Sequence, residues 1–584
     1  DYAVGLKYGL DVLSPVNEAG QFNDDAPEWL RGKHVLKEGN PAVIEKIKTS
    51  GHLIALREIE HSYPHCWRSK TPLIFRATPQ WFLKMDLVND KSGKSIRQNS
   101  LEGIKKVKWV PDWGENRISS MIENRPDWCL SRQRVWGVPI PVLYCQACQE
   151  PLAKEDVMMR IADNMEKNGG IEGYFDGDVK TFAGSHKCGK CGKTEFTKGK
   201  DILDVWFDSG CCFAAVQKKR PGLTQPADLY LEGSDQHRGW FHTSLLASVA
   251  AENIPPFKTV LTHGFVMYAK GQKMSKSLGN VIDPLEIIKN SGSDILRLWA
   301  AHEDYSQDLT CNPETFERLT ETYRRLRNTI RFLLGNLYDY DNKKDALNYK
   351  DLTSLDQWAL AKLNTLIKEV SEAYDKYEFY KIYHLLNNFV TVDLSAFYLD
   401  ILKDRLYVRK ANGHLRRSAQ TVLYQIITNL SKMMAPILSF LAEETYTFTL
   451  GHEKESVFME HFPTTNNQWE NPEILKVFET FIKMRVDALK QLEELRKNKV
   501  IGAGLEAQLK ISAEGEELKV LELLKDSLLE FFIVSGVEVT KGKYSITASK
   551  ADGEKCVRCW TYNKTLNSSS KFPGICPKCV EALS

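Results

Sequence analysis

The chain has 584 residues, of which 26% are charged and 42% are hydrophobic, and its formal net charge at pH 7 is +2. This length corresponds to about four domains of ~150 residues, and the composition is that of an ordinary globular protein. A net charge near zero gives no global indication of a nucleic-acid partner, so a basic surface would have to be local. No apolar run approaches the ~18–20 residues of a membrane span. We therefore expect no membrane association and a cytoplasmic location, with an organellar matrix as the alternative.

Residues 1–60 alternate short apolar runs with turn residues, and they predict the end of an α+β unit with a helix over Pro41–Ser50. Residues 61–312 mix strand-like runs with helical stretches, which predicts half of a Rossmann-like α/β nucleotide-binding sheet. The clearest elements of that region are strands at Leu73–Arg76 and Thr259–Thr262, a helix at Trp240–Glu252, and a loop-rich insertion at 145–200.

Residues 313–464 predict a helical bundle, because apolar residues recur there at i, i+3 and i+4. The predicted helices are Phe316–Leu337, Asp356–Lys376, Phe379–Asp404 and Leu415–Leu450. Residues 465–550 predict a smaller α+β region. Its predicted elements are helices Pro472–Lys497 and Glu516–Leu529 and strands Gln508–Ile511 and Phe532–Thr540.

Eight of the 13 cysteines form four Cys-x-x-Cys pairs, which favours metal binding in a reducing compartment over a disulfide framework. Cys556, Cys559, Cys576 and Cys579 have the spacing of a Cys₄ zinc ribbon, so residues 551–584 predict a zinc-binding module. A second candidate joins two pairs across a wider gap, with His186 as a possible replacement for one ligand. Its cysteines are Cys145, Cys148, Cys188 and Cys191. We expect one to two Zn²⁺ per chain.

A short loop, Lys273-Met274-Ser275-Lys276-Ser277, lies between Gly271 and Gly279. Two lysines and two serines on a glycine-flanked loop suit a cationic clamp for the phosphates of ATP, where charge develops during nucleotidyl transfer. The alternative is a solvated surface turn.

Acidic and polar residues follow the strand-like run Leu229–Leu231, where an α/β sheet binds its ligand. These residues are Glu232, Gly233, Asp235 and Gln236. They could hold a substrate ammonium and ribose hydroxyls, and the alternative is an ordinary acidic turn. Two indoles, Trp206 and Trp240, could wall a slot for a branched aliphatic side chain, with a place in the core as the alternative.

Several longer motifs accompany these residues. In chain order they are RPDWCLSRQRVWGVPIP, DILDVWFDSG, DLYLEGSDQHRGWF, the Lys273–Ser277 loop, SAFYLDILKDRLY and the terminal CVRCW…CPKC. Together they resemble the isoleucyl-tRNA synthetases, which are class I aminoacyl-tRNA synthetases, from Asp1 to nearly Ser584. The resemblance implies ATP-dependent ligation of L-isoleucine to tRNA(Ile) through an isoleucyl-adenylate. It also implies Mg²⁺ with ATP, a monomer, and hydrolytic editing of mischarged valine in the complete enzyme.

The resemblance also implies roles for single residues. Lys273 and Lys276 would be catalytic, and Trp206 and Trp240 would form the isoleucine pocket. Asp1 resembles the editing aspartate that anchors the misacylated amino acid's ammonium. The remaining assignments are contacts to ATP or the adenylate, made by Glu232, Gly233, Asp235, Gln236, His263, Gly264, Met274, Ser275 and Ser277. For His263 alone, a core histidine is the alternative.

The implied fold is multidomain, with an α/β catalytic half, a helical anticodon-binding bundle and a small α+β and zinc-ribbon C-terminal region. The predicted domains are an editing remnant (1–60), the catalytic domain (61–312), the anticodon-binding domain (313–464), an α+β junction (465–550) and the zinc module (551–584). Two basic clusters are candidates for tRNA phosphate contacts. They are Arg324, Arg325, Arg327 and Arg331, and then Lys403, Arg405, Arg409, Lys410, Arg416 and Arg417.

The sequence departs from the family in one place, because it contains no His-Ile-Gly-His-like first signature. We therefore expect the C-terminal part of a longer enzyme, which alone would be incomplete for catalysis. Two alternatives stay open: a sister synthetase for valine or leucine, and a non-catalytic zinc-containing tRNA-binding fragment.

Overall fold

The computed structural model describes residues 2–66, 69–89, 92–566 and 571–584. The chain divides into two units, Asp1–Leu261 and Thr262–Ser584, each with its own internal packing. Asp1, the predicted editing residue, lies outside the described residues.

The first unit contains nine helices and twelve strands among its described residues, counting a last strand that ends just inside the second unit. The helices are α1 (Tyr2–Tyr8), α2 (Asn40–Thr49), α3 (Ile96–Ile104), α4 (Trp113–Glu123), α5 (Glu155–Lys167), α6 (Glu172–Asp176), α7 (Val179–Ala183), α8 (Val205–Gly210) and α9 (Trp240–Glu252). The strands are β1 (Phe82–Leu83), β2 (Val88–Asn89), β3 (Lys94–Ser95), β4 (Lys108–Val110), β5 (Trp128–Cys129), β6 (Ser131–Arg132), β7 (Leu143–Cys145), β8 (Pro151–Leu152), β9 (Phe196–Lys198), β10 (Ile202–Leu203), β11 (Tyr230–Gly233) and β12 (Thr259–His263).

A three-stranded sheet in the order β11-β12-β4 forms the centre of this unit. β12 runs parallel to β4, with Val260 opposite Trp109. Helix α9 is buried along most of its length, and its apolar residues pack with those of α3 and α4 in one core. A helix that is apolar all round must be covered on several sides. The predicted α/β organisation, the helix at Trp240–Glu252 and the strand at Thr259–Thr262 are therefore confirmed.

The cysteine-containing insertion is more helical than predicted. Helices α5, α6 and α7 pack around the small sheet β8-β7-β9, and this assembly has its own buried core. At its base the buried hydroxyl of Tyr174 lies 3.0 Å from the carbonyl oxygen of Gly199 and 3.2 Å from that of Val142. These contacts join the two chain segments through which the insertion enters and leaves.

The strand predicted at Leu73–Arg76 is wrong. Among the described residues of this region, only an isolated bridge between His65 and Pro72 forms. Pro72 and Pro79 flank the run, and proline cannot donate a ladder hydrogen bond. Phe75 is 87% exposed, so packing does not account for this aromatic residue.

The second unit contains thirteen helices and eight further strands among its described residues. The helices are α10 (Pro284–Ser291), α11 (Ser293–His302), α12 (Pro313–Gly335), α13 (Asn342–Asp345), α14 (Ser354–Asp375), α15 (Phe379–Asn388), α16 (Leu399–Tyr407), α17 (His414–Met434), α18 (Ser439–Phe448), α19 (Pro472–Lys497), α20 (Gly515–Leu523), α21 (Leu528–Phe532) and α22 (Pro577–Leu583). The strands are β13 (Val266–Tyr268), β14 (Gln272–Lys273), β15 (Leu309–Thr310), β16 (Ala507–Ala513), β17 (Gly536–Lys541), β18 (Ser545–Lys550), β19 (Glu554–Lys555) and β20 (Tyr562–Asn563).

The helical bundle matches the predicted periodicity, and one extended core runs through it into the α+β region. The helix predicted at Leu415–Leu450 is two helices, because Pro436 interrupts the backbone hydrogen bonds between α17 and α18. α15 and α16 form one continuous helical segment through a π-helical stretch, Phe389–Tyr398. By length and composition that segment, Phe379–Tyr407, could cross a membrane, and half of its most apolar stretch is buried. Burial of this kind is typical of a bundle's core helix.

A buried ionic cluster joins the bundle to the α+β region. Arg405 on α16 is 1% exposed; it donates to Asp356 on α14 at 3.1 Å and pairs with Glu530 on α21. Tyr398 donates to the same aspartate at 2.6 Å. Removing one member of such a cluster would leave a buried charge without a partner, so the cluster fixes how these three helices pack.

The α+β region contains the sheet β17-β16-β18, with β16 parallel to β17 and antiparallel to β18. Helix α19 and the strand around Gln508–Ile511 form as predicted. The helix predicted at Glu516–Leu529 is interrupted by a 3₁₀ turn over Lys525–Ser527, where three polar residues break the apolar period. The last predicted strand begins only at Gly536.

Candidate active site and zinc centres

The acidic group after β11 lies where the strand turns into α9. Glu232 and Asp235 are exposed, as a ligand-binding role requires. The side-chain amide of Gln236 already makes hydrogen bonds within the protein. Its Oε1 accepts from the backbone N–H of Trp240 at 2.8 Å, and its Nε2 donates to Asp235 at 3.0 Å. Gly233 is buried at the strand end. Two of the four predicted residues, Glu232 and Asp235, are thus exposed to solvent.

The two predicted pocket tryptophans lie near Gly239. Trp206 is 42% exposed, and a Cβ placed on Gly239 would lie 3.0 Å from its ring. Trp240 is half-buried and stacks on Tyr230 with ring centroids 4.2 Å apart, while its Nε1 donates to the carbonyl oxygen of Ser209 at 3.1 Å. Trp206 therefore presents an open indole face, and Trp240 is fixed by packing.

Asp204 fixes the start of the helix that carries Trp206, and the sequence motifs gave it no role. Asp204, which is buried, caps α8 by accepting from the N–H of Trp206 at 3.3 Å. Its other carboxylate oxygen accepts from Trp128 at 3.1 Å and from Arg132 at 2.8 Å. The detectable signal was an aspartate immediately before a short helical run, which is a preferred N-cap residue.

A cavity of about 500 Å³ borders Asp204. Arg132, Arg134 and Trp136 line it together with Asp208. Burial, followed by the nearby charge of Asp204, raises the pKa of the Asp208 carboxyl. The cavity therefore combines the exposed indole of Trp136 with basic and acidic side chains.

Two histidines beside this site were also missed. His237 and His242 are buried, and burial lowers the pKa of His237 to about 4 and that of His242 to about 3. Neither ring nitrogen of His242 has a hydrogen-bond partner among the described residues. Both imidazoles are therefore neutral at pH 7 and contribute packing rather than charge.

In the second unit, the Lys273–Ser277 loop is a closed turn that follows the hairpin of β13 and β14. Asn280, which the sequence analysis did not single out, closes it: its Oδ1 accepts from the N–H of Ser275 at 2.8 Å and its Nδ2 donates to the Lys273 carbonyl at 3.2 Å. The side chain of Met274 packs against the bundle core. Met274 thus has a packing role in addition to the ATP contact that was predicted for it.

Both loop lysines are exposed, and neither ammonium has an ion-pair or hydrogen-bond partner among the described residues. Ser275 caps the following 3₁₀ turn and lies 3.1 Å from Ser277, oxygen to oxygen. Gly279 ends that turn with φ +64, a conformation that favours glycine. The fold therefore presents two unpaired cations on a turn of defined shape.

His263 and Gly264 lie at the end of β12. A Cβ on Gly264 would lie 2.1 Å from the carbonyl oxygen of Gln307, so close chain packing alone requires glycine there. His263 is half-buried and contacts the Gly264 carbonyl through Nδ1 at 2.8 Å. Their predicted contact with adenosine stays a prediction.

The four cysteines of the insertion converge. All their sulfur atoms lie within 4.8 Å of one another, and Cys145–Cys191 and Cys148–Cys188 are each separated by 3.5 Å. Four sulfurs around a tetrahedral zinc, with Zn–S of ~2.3 Å, lie about 3.8 Å apart, so this set fits zinc. The expectation that His186 could replace a ligand is wrong, because its Nε2 lies 2.7 Å from Asp156 instead.

The terminal cysteines form a second cluster, with all four sulfurs buried and within 4.8 Å of one another. Cys556–Cys579 are 3.8 Å apart and Cys559–Cys576 are 3.6 Å apart. Arg558 donates to the sulfur of Cys579 at 3.5 Å, a contact that suits a thiolate ligand. Lys578 on α22 pairs with Asp404 on α16 at 2.7 Å and attaches the module to the bundle.

Most of the predicted tRNA-contacting cations are engaged within the protein. Arg405 and Arg416 are buried, and Arg416 pairs with Asp339 at 2.6 Å. Arg324, Arg327, Lys403, Arg409 and Arg417 also form ion pairs. Among the described residues of the two clusters, Arg325, Arg331 and Lys410 are exposed and have no ion-pair partner. The predicted basic surface is therefore much smaller than the sequence suggested.

Three protein-family models match successive parts of the chain. The family model described as tRNA synthetases class I (I, L, M and V) matches residues 16–312. The anticodon-binding domain of tRNA ligase matches residues 356–511, and the zinc finger found in FPG and IleRS matches residues 553–582. The chain belongs to the class I tRNA synthetase family.

Within that family, the chain is similar to proteins named isoleucine–tRNA ligase. It is 46% identical over 605 residues to that of Persephonella marina, covering 100% of this chain and 63% of the relative. It is 46% identical to that of Petrotoga mobilis, with 100% and 64% covered. It is 47% identical to that of Syntrophotalea carbinolica, with 100% and 63% covered. The chain thus spans slightly less than two thirds of the length of these curated relatives.

Proposed function

We propose that the protein acts in ATP-dependent ligation of L-isoleucine to tRNA(Ile) through an isoleucyl-adenylate. The observation that carries this proposal is the Lys273–Ser277 loop, which presents two unpaired ammonium groups on a turn closed by Asn280. The choice of isoleucine rests on the similarity to isoleucine–tRNA ligases over the whole chain.

In the first step, isoleucine's carboxylate attacks the α-phosphorus of ATP and pyrophosphate leaves. Lys273 and Lys276 would stabilise the negative charge that builds on the phosphates, a form of catalysis that needs position and charge but no protein nucleophile. Mg²⁺ would accompany ATP and neutralise phosphate charge. In the second step, a hydroxyl of the terminal ribose of tRNA attacks the adenylate carbonyl and AMP leaves.

In the first unit, the exposed carboxylates of Glu232 and Asp235 are suited to hold the amino acid's ammonium and a ribose hydroxyl. The exposed indole of Trp206, at the start of the helix that Asp204 caps, is suited to supply an apolar wall for the side chain. Such a wall can distinguish isoleucine from valine only by its contact with one methylene group. That contact contributes ~1–3 kcal/mol of binding free energy, and the isoleucine enzymes are the standard example of this limit. Editing of mischarged valine, with Asp1 as the residue that anchors its ammonium, therefore belongs to the same proposal.

Both Cys₄ clusters are proposed to be structural zinc sites, since four protein ligands leave no open position for substrate. The exposed Arg325, Arg331 and Lys410 are proposed to contact tRNA phosphates. We also propose a monomer that works in the cytoplasm.

The amino-acid dependence of ATP–pyrophosphate exchange tests this proposal. The measurement uses the full-length product of the gene that encodes this chain. Isoleucine should support the highest kcat/KM, with valine about 10²-fold lower because one methylene is lost, and leucine lower again. Faster exchange with valine or leucine would favour a sister synthetase. Binding of tRNA without exchange for any of the three amino acids would favour the non-catalytic alternative.

A further inference from the structure

A short and well-defined segment connects the Lys273–Ser277 loop to the helical bundle. After the loop, Asp283 caps α10 by accepting from the N–H of Leu285 at 2.8 Å. Only Gly292, with φ +88, separates α10 from α11, and the two helices pack against each other. A displacement of α11 would therefore be passed to the end of the loop through one helix and one residue.

Two side chains of α11 bind the place where α17 ends and α18 begins. Arg297 donates from Nε to the carbonyl oxygen of Ile437 at 2.9 Å and from Nη2 to that of Pro436 at 2.7 Å. Asp294 accepts from the N–H groups of Phe440 at 3.2 Å and Leu441 at 2.8 Å. One turn of α11 thus satisfies backbone groups on both sides of the break that Pro436 creates.

These contacts are matched to the backbone groups that a helix break exposes. The first N–H groups of α18 and the last carbonyls after α17 have no partner inside their own helices, and the helix ends attract a negative and a positive charge respectively. Asp294 is 4% exposed; burial raises the pKa of its carboxyl, and the two backbone amides oppose that rise. A buried carboxylate and a guanidinium, each making two backbone hydrogen bonds, form a specific connection rather than a general apolar contact.

The other side of the loop segment is open. A cavity of about 880 Å³ separates the end of the loop and α10 from α12, and Gly279, Asp283 and Glu286 line it together with Phe316 and Arg324. Met274 and the apolar side chains of α10 and α11 are the remaining contacts to the bundle core. Apolar residues of α11 pack against α12 and α15, and the polar connection adds directional hydrogen bonds to that packing on the side away from the cavity.

We propose that Asp294 and Arg297 are positioning residues that hold the Lys273–Ser277 loop in register with the helical bundle. This inference rests on the proposed function, because it gives the loop a catalytic role. Asp294 and Arg297 touch neither loop lysine. Their hydrogen bonds to the segment between α17 and α18 fix the position of α11, and α11 and α10 fix the position of the loop. The adenylation rate should therefore depend on these hydrogen bonds.

The test measures isoleucine-dependent ATP–pyrophosphate exchange in the full-length gene product. Asp294→Asn places an amide N–H₂ against a backbone N–H, and Arg297→Met removes both bonds to the carbonyls. Each variant should lower kcat about tenfold or more, with the KM for isoleucine within twofold of the unmodified enzyme. Rates are normalised to the fraction of enzyme that forms adenylate in a single turnover, so misfolded molecules are not counted.

A matched control changes a cation on α17, which α11 contacts near its end, instead of one on α11. Lys432 on α17 pairs with Glu460 at 3.0 Å, and Lys432→Met should leave kcat within twofold. If Asp294→Asn does not fold, Asp294→Glu and Arg297→Lys provide milder variants, and a graded loss of kcat is expected. An unchanged normalised kcat in the Asp294 and Arg297 variants would overturn the inference. Absence of exchange in the unmodified enzyme would instead overturn the proposed function.

Discussion

At the scale of single residues, the buried histidines of the first unit show how burial changes the pKa of a side chain. His242 lies on α9 with both ring nitrogens lacking hydrogen-bond partners among the described residues, and burial lowers its pKa to about 3. An unfolded histidine has a pKa of about 6.5. Between these two values the unfolded chain binds a proton that the folded chain does not.

This difference predicts a loss of stability in acid. The stability that neutral His242 contributes is fully present above pH ~6.5 and is lost as the pH falls towards 3, by up to ~1.4 kcal/mol per pH unit. Hydrogen-exchange protection of the α9 amides, corrected for intrinsic rates, should fall between pH 7 and pH 5. In His242→Gln the fall should be shallower, whereas the exposed His452→Gln should behave as the unmodified protein. An equally steep fall in His242→Gln would contradict this explanation.

Other single residues mark the limit of what the sequence could predict. The motifs singled out Gln236 and Gly264 but gave no indication of the bond that the first accepts from the N–H of Trp240 or of the 2.1 Å contact that excludes a side chain at the second. Asp204 offered only a general N-cap signal, and its contacts with Trp128 and Arg132 join residues more than 70 positions apart. Their spacing in the sequence carries no chemical signature of its own.

At the scale of elements, predictions succeeded where one local pattern dominates. The long apolar period of α19 and the strong helix signal of α9 gave their bounds directly. The run Leu73–Arg76 has strand-like residues, but no strand pairs with it in the part of the chain that the structure describes. Tertiary context outweighs propensity in such a short run. The π-helical stretch within Phe379–Tyr407 gave no sequence signal, because it keeps the apolar character of the helices beside it.

The two cysteine modules carry an element-scale prediction. Their sulfur positions fit two tetrahedral zinc ions, so protein purified without chelator should contain two zinc per chain by elemental analysis. Cys188→Ser and Cys576→Ser should each reduce the content to about one, because each removes a ligand from a different cluster. A protein with no zinc, or a Cys188→Ser variant that keeps both ions, would contradict the assignment.

At the scale of the whole molecule, the chain joins a synthetase catalytic region to an anticodon-binding region and a terminal zinc finger, as the three family matches describe. The order of these regions was predictable from the order of the motifs. The finer boundaries predicted at residues 312, 464 and 550 stay predictions. The core of the bundle runs without interruption into the α+β region, and Arg405 is paired across it.

We propose that the Lys273–Ser277 loop stabilises the transition state of isoleucine adenylation. The most direct measurement is isoleucine-dependent ATP–pyrophosphate exchange by the full-length gene product and its Lys273→Ala and Lys276→Ala variants. A charge that acts mainly in the transition state should lower kcat about 10²–10³-fold when removed, with isoleucine affinity within threefold of the unmodified enzyme. Variants that lose isoleucine affinity but keep their exchange rate would contradict the account.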